Sequence, residues 1–391
     1  MKNKLNFEDV INPNEFGGLL YDKKEKNAIN RILLKEKIFR YATGEETECD
    51  LLEKNICRIT NSEYALAVNS GTSGLKVALK SLGVKPNDKV LVSSYTFLSS
   101  ATSVLNIGAI PIPMDFSINT GIDLMDLEEQ LKIGAKAIIL VHLQGRTFDV
   151  SKVLKLAEKY HTYVIEDACQ AFASKYDNKY AGTFADIGIY SFQQNKQITS
   201  GEGGMIIFKD KKHYEIARNF HDMGSVRVEY PSWEEDGALI GDNYRMTNLQ
   251  AAILNIQLSK LNKMIKKQKK LYEIITKGIK NNLIIQPLDK NGFTGQNILF
   301  IVNDFSYVDK IIDLGKKYNI EVRKIWNKPY DQRKVFKKLN LDDVSLKNKH
   351  NLNSNMVSDK MMSITISPII SKKEALIMRR FFKQIEGEYL K

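Results

Sequence analysis

The chain has 391 residues, 43% hydrophobic and 27% charged, which gives it length for a large core in two domains and excludes a single mini-domain. Its net charge of +12 is spread over lysines along the whole sequence. That reads as a solvated lysine-rich surface, with attraction of an anionic substrate as a weaker second meaning, and no zinc-finger spacing, RNP-like aromatics or basic leader into heptads points to nucleic acid. Apolar stretches such as AKAIILVHL, nine residues from Ala135 to Leu143, are too short to cross a bilayer. The first sixteen residues lack the apolar core of a secretory signal, so a cytoplasmic protein with no membrane partner is expected. Cys49, Cys57 and Cys169 show no CxxC spacing, which predicts free thiols and no structural metal.

From about residue 60, short apolar runs alternate with amphipathic segments, the pattern of an α/β protein with a mainly parallel sheet. Strands are predicted at 64–69, 88–94, 109–116, 135–143 and 162–168, with helices at 73–83, 97–108, 125–132 and 150–161. Two further strand-like runs, 185–192 and 203–210, have no helix between them. A long helix begins near residue 246, where Leu254, Leu258, Leu261 and Ile265 recur at helical spacing and Thr247 with Gln250 forms a capping-box pattern. The domain boundary is placed within this helix, giving a large domain of residues 1–255 and a small C-terminal α+β domain of residues 256–391. In the latter, 297–304 reads as a strand, 307–320 as a helix, and Ser371 with Glu374 caps a terminal helix. The polar stretch 340–360 is expected to be a mobile loop.

Three motifs carry chemistry. NSGTSGL, residues 69–75, joins a strand to a helix, so Gly71, Thr72 and Ser73 suit a phosphate at the helix N-terminus; the same residues equally serve as ordinary caps. VIEDACQA, residues 164–171, puts two acids at a strand end. Asp167 is placed to face a ligand and to keep a ring nitrogen protonated, whereas Glu166 points to the other face and reads as a structural partner. In YSFQQNKQITSGEGG, residues 190–204, Ser191 can donate to a phosphate and Lys196 can form a Schiff base with a carbonyl compound. The glycines after it are read as flexible backbone. A lone lysine is usually a solvated charge; what raises Lys196 is its company.

A phosphate cup, the aromatic Phe97 in SYTFLSS, a strand-end acid, then Ser and Lys in a loop form in order the set of parts that pyridoxal phosphate needs. With NSGTSGL, EDACQA, GTFADIGIYSFQQNK, TSGEGG and NYRMTNLQAAI, the sequence resembles the DegT/DnrJ/StrS-type family of sugar aminotransferases. The resemblance implies the type I fold of pyridoxal-phosphate-dependent transferases, with a mainly parallel seven-stranded sheet in the large domain. It implies pyridoxal 5'-phosphate bound covalently at Lys196, Asp167 against the pyridinium nitrogen, Gln170 near the phenolic oxygen and Phe97 stacked on the ring. Gly71, Thr72, Ser73 and Ser191 fall at phosphate-binding positions, and Asn243 matches a residue that reaches the phosphate from a neighbouring subunit, hence a homodimer with shared sites. The implied activity moves an amino group from glutamate or glutamine to a keto sugar, either nucleotide-linked or an ulosonic acid or cyclitol ketone. The product is an amino sugar for a surface polysaccharide or specialised metabolite. Relatives that act as sugar dehydratases carry histidine in place of the lysine, so Lys196 argues against dehydration; a non-catalytic regulator of the same fold is the competing reading. Arg40 with Tyr41, and Pro329 with Tyr330, fall in segments that line the substrate side in that family, while His142 reads as a hydrogen-bonded structural residue.

Overall fold

A computed structural model describes residues 20–41, 46–227, 231–232, 239–280, 283–337 and 352–389. Seven strands make the main sheet: β1 (Tyr64–Val68), β2 (Lys89–Ser93), β3 (Ile110–Met114), β4 (Ala137–Val141), β5 (Tyr163–Asp167), β6 (Ile187–Ser191) and β7 (Gly204–Phe208). They lie in the order β1-β7-β6-β5-β4-β2-β3. Every neighbouring pair is parallel except those of β7, which runs antiparallel to both β1 and β6. Strands in such a sheet are covered on both faces and read as continuous apolar runs; β4 and β7 are buried at all five positions. The missing helix between β6 and β7 follows from the antiparallel pairing, because the chain doubles back through a loop. That loop carries Lys196. The carboxyl ends of the six parallel strands share one edge, the place where open α/β sheets bind ligands.

A second, antiparallel sheet is built from β8 (Asn297–Ile301), β9 (Arg323–Lys324) and β10 (Met361–Thr365), in the order β8-β10-β9. Its apolar core includes Leu283, Phe300, Ile311, Phe381 and Phe382. The long helix spans Asn248–Thr276, and the Thr247–Gln250 capping box is present at its start. Along it, Leu254, Leu261 and Met264 pack with Ala67 and Met205 of the main sheet and with Phe192 just after β6, while Leu271, Tyr272 and Ile275 join the core of the second sheet. Ser371 and Glu374 exchange hydrogen bonds at the start of the terminal helix, Lys372–Tyr389, as the sequence pattern predicts.

The expectation of a mobile loop over 340–360 needs correction. Leu352–Lys360 is a helix, and residues 340–351 lie outside the described residues, as does the N-terminal segment read for a signal. The helix is anchored by Asp115 after β3: its carboxylate accepts from the Ser354 N–H (2.8 Å), the Ser354 hydroxyl (2.6 Å) and the Asn353 N–H (3.1 Å). Among the described residues no helix is long and apolar enough to cross a membrane.

Candidate active site

A cavity of about 520 Å³ lies at the carboxyl edge of the main sheet and is walled on its far side by the second sheet. One end is the start of the helix Gly71–Ser81. The Ser70 hydroxyl caps it by accepting from the Ser73 N–H (3.1 Å), and the Ser73 hydroxyl sits 2.9 Å from Ser70 Oγ. Ser70, Gly71 and Thr72 therefore line the cavity, and Ser73 does not. At a helix start the first N–H groups have no carbonyl to bond within the helix, so this end favours an anion. Gly71 is required by packing: a Cβ there would lie 2.7 Å from Cys169 Sγ and 3.0 Å from Ser191 Cβ. Ser191, at the end of β6, is thereby brought to the same end.

Asp167 ends β5 and is buried. Its carboxylate accepts from the Ser100 hydroxyl (2.8 Å) and the Cys169 N–H (3.2 Å), which fixes its orientation toward the cavity. Glu166 faces the other way and is saturated: it accepts from His142 Nε2 (2.8 Å) and from the N–H groups of Gly182 (2.8 Å), Phe184 (2.7 Å) and Ala185 (2.6 Å). His142 Nδ1 accepts from the Phe148 N–H (3.2 Å), so the ring donates through Nε2 and is structural, as read from the sequence. Phe97, 56% exposed on the cavity wall, offers an open aromatic face. Gln170 also lines the cavity, its Oε1 accepting from Gln144 Nε2 (3.1 Å).

The loop around Lys196 is pinned rather than flexible. Phe192 donates its N–H to the Gly203 carbonyl (2.8 Å), and its own carbonyl accepts from the Thr199 hydroxyl (2.9 Å) and the Ser200 N–H (3.1 Å). Gln197 Nε2 donates to Gln268 Oε1 of the long helix (2.6 Å). The glycine at 204 serves close approach, since a Cβ there would lie 2.5 Å from the backbone of Ser70. Lys196 Nζ has no hydrogen-bond or ion-pair partner among the described residues. Burial lowers the proton affinity of its amine, with Arg323 adding to that effect and Cys169, Asp167 and Glu202 opposing it. A lowered affinity favours the neutral, nucleophilic amine.

Residues 21–378 match the family model described as the DegT/DnrJ/EryC1/StrS aminotransferase family. The chain belongs to that family. A GDP-perosamine synthase of Escherichia coli O157:H7 is 34% identical over 271 residues, covering 69% of this chain and 72% of that protein. Across the first curated relatives the chain spans from 54% to 72% of their length. Two solved structures show the shared fold. An aminotransferase from Psychrobacter cryohalolentis superposes with a TM-score of 0.83 at 24% identity, over 95% of this chain and 98% of that one. An E. coli GDP-4-keto-6-deoxy-D-mannose-3-dehydratase gives a TM-score of 0.77 at 21% identity, over 93% and 97%.

In this member of the DegT/DnrJ/EryC1/StrS aminotransferase family, Asn243, which the sequence assigns to a neighbouring subunit's phosphate, is exposed and lies outside the cavity of its own chain, its Oδ1 accepting from the Arg245 N–H (3.3 Å). Two other residues depart from their sequence expectations. Arg40 is neither on the cavity wall nor on the surface. Its guanidinium is buried against Glu53 (2.5 Å) and the Ala67 carbonyl (3.2 Å). Tyr330 is buried too, stacked edge-on against Phe336, and its segment reaches the cavity through Ile325 and Trp326 instead. Arg323, Asn297 and Thr365 from the second sheet, Gln296 just before β8, and Gln144 after β4 also line the cavity and carry no motif that marks them in the sequence.

Proposed function

We propose that this enzyme transfers an amino group from glutamate or glutamine to a nucleotide-linked keto sugar, using pyridoxal 5'-phosphate held at Lys196. The observation that carries the reading is the unpartnered Lys196 amine facing the same cavity as the buried, oriented Asp167 carboxylate. The residues present suit the cofactor. Gly71 and Thr72 with Ser191 would take its phosphate, Phe97 its ring face, Asp167 its ring nitrogen and Gln170 its phenolic oxygen. Asn243 of a partner subunit would complete the phosphate site in a homodimer. Ser73, turned to its capping bond, would act through the helix start. When bound, pyridoxal phosphate supplies an aldehyde to the lysine and an electron-accepting ring to the reaction.

The chain's own groups do the rest. Lys196 Nζ, its proton affinity lowered by burial, takes the proton from the donor's Cα and returns a proton on the far side of the exchange. Asp167 holds positive charge at the ring nitrogen. Among the described residues Arg323 meets no carboxylate in an ion pair and donates only to Thr365 Oγ1 (3.3 Å); it is suited to the carboxylate of the amino acid donor, for which a guanidinium is a bidentate partner. In this reading residues 1–255 hold the cofactor, and residues 256–391 contribute Arg323, Gln296 and Thr365 to the substrate side. The product class follows the E. coli relative, a GDP-perosamine synthase, and Lys196 favours amino transfer over dehydration.

The test is the absorption spectrum of the purified protein with pyridoxal phosphate, before and after adding L-glutamate and L-glutamine separately. Conversion of the bound cofactor to its amine form by either donor is expected. No change with both overturns the reading. The phosphate end is tested separately by Gly71→Ala, whose added methyl must displace Cys169 or Ser191. Its affinity for pyridoxal phosphate, followed by equilibrium dialysis, is expected to fall by roughly tenfold or more, corresponding to about 1.4 kcal/mol.

A further inference from the structure

Ser100 stands in the first turn of the helix Leu98–Leu105, which follows Phe97 and begins without a side-chain cap. A serine inside a helix ordinarily returns its hydroxyl to a carbonyl three or four residues back, and Ser103 does so, donating to the Ser100 carbonyl (3.2 Å). Ser100 does not. Its hydroxyl crosses to the end of β5 and donates to Asp167 Oδ2 (2.8 Å), 67 residues away in the sequence. Behind it, Thr96 Oγ1 lies 2.9 Å from Ser100 Oγ. All three side chains are buried, so their polar atoms depend on one another rather than on bulk water.

The direction of donation follows from the protons available. An ionised carboxylate only accepts, and a hydroxyl has one proton to give and lone pairs to receive. The Ser100 proton is committed to Asp167, so the Thr96 proton goes to Ser100, and the chain runs from Thr96 through Ser100 to Asp167. Linked hydroxyls polarise one another, and a bond donated to a charged acceptor is stronger than one between neutral groups. The Cys169 N–H holds the other oxygen, Oδ1 (3.2 Å). Each carboxylate oxygen thus meets one fixed donor, while about two of the four acceptor positions stay open on a residue that lines the cavity. Phe97, whose exposed ring lines the same cavity, stands between the two hydroxyl residues in the sequence, and its carbonyl accepts from the Ser100 N–H (3.2 Å). One short segment carries both the aromatic face and the support of the carboxylate.

We propose that Thr96 and Ser100 are positioning residues, a two-hydroxyl relay that aims the Asp167 carboxylate at the ring nitrogen of the cofactor. The inference rests on the amino-transfer reading. It is tested on the holoenzyme loaded with pyridoxal phosphate labelled with nitrogen-15 in its ring, comparing wild type with Ser100→Ala, Thr96→Val and Thr96→Ser. The ring-nitrogen chemical shift is recorded without any donor. The half-reaction with L-glutamate or L-glutamine, whichever the wild type performs, and thermal melting are followed in parallel. Thr96→Val keeps the shape and loses the hydroxyl, whereas Thr96→Ser loses a methyl and keeps the hydroxyl, so the pair separates the relay from packing. The half-reaction is expected to slow roughly tenfold in Ser100→Ala and about threefold in Thr96→Val. In both, the nitrogen signal moves toward that of unprotonated pyridine and the apparent donor affinity stays within about threefold of wild type. Thr96→Ser keeps the wild-type rate and signal even where it melts lower. A wild-type rate and signal in Ser100→Ala overturn the proposal. A Thr96→Val protein indistinguishable from wild type removes Thr96 and overturns the relay. Slowing of Thr96→Ser equal to that of Thr96→Val means a packing role and overturns it too. Should Ser100→Ala not fold, the two Thr96 variants decide alone. A wild type that responds to neither donor fails the amino-transfer reading, while the nitrogen signal, which needs no donor, still decides the relay.

Discussion

Lys196→Ala is expected to abolish amino transfer while leaving the protein folded. The lysine side chain makes no hydrogen bond or ion pair among the described residues, and burial works against its charge, so truncating it takes little from the native state. The surrounding loop keeps its form through bonds that do not involve the lysine: Thr199 and Ser200 to the Phe192 carbonyl, Phe192 to Gly203, and Gln197 to Gln268. Catalysis loses both the covalent attachment and the proton carrier. General-base contributions alone are on the order of 10²- to 10⁴-fold, and loss of the nucleophile adds to this. The measurement is a single-turnover experiment with L-glutamate, with thermal melting as the control for folding. A variant that melts like wild type and still converts its cofactor at a comparable rate refutes the assignment of Lys196.

Asp167→Asn comes second in expected size. The amide is nearly isosteric with the carboxylate and can still accept from the Ser100 hydroxyl through its oxygen, although its NH₂ then meets the Cys169 N–H that now donates to Oδ1. Some stability is lost there, of the order of 1–3 kcal/mol for one mismatched buried polar group. The larger effect is electrostatic, because a neutral side chain no longer holds positive charge at the ring nitrogen. Pyridoxal phosphate is expected to remain bound through its phosphate end, and the donor half-reaction to slow by on the order of 10²-fold or more. Stopped-flow spectra at full cofactor occupancy separate the two quantities. A near-normal rate at full occupancy removes Asp167 from the mechanism.

The parts of the site that were legible in the sequence share a cause: each lies where a strand ends and the chain turns, so local residue types reveal both the geometry and the chemistry. Asp167 after VIE, Gly71 at a strand-to-helix turn and Lys196 between two strand-like runs are of this kind. The family resemblance then supplied their roles. The substrate wall was not legible. Arg323 sits on a two-residue edge strand whose short polar sequence has no strand period, and Gln296 packs beside Gly145, a residue far from it in the sequence. The Leu352–Lys360 helix was missed for a related reason. Its inward side is Ser354, Val357 and Ser358, so no apolar stripe marks it. Ser354 is buried because it bonds to other elements, its Oγ meeting Ser94 Oγ (2.6 Å) and the Phe116 N–H (3.0 Å), and Ser358 is satisfied within the helix by donating to the Ser354 carbonyl (2.8 Å). Arg40 was misplaced because its partner, Glu53, lies on a separate helix, and nothing in a linear reading joins the two.

The adjacent acids of β5 have opposite fates, and this makes the alignment of that strand a functional quantity. Side chains alternate along a strand, so sliding β5 by one residue against its neighbours would turn Glu166 into the cavity and drive Asp167 toward His142. Apolar burial gives weak protection against such a slip, because β5 is covered on both faces and Val164 and Ile165 are nearly interchangeable. Glu166 supplies the discrimination. Its two oxygens are met by four donors set for a glutamate at that one position, and the shorter aspartate would leave part of that set without a partner. A residue that never touches substrate thus works as an indexing pin, keeping the neighbouring carboxylate on the side where the reaction takes place.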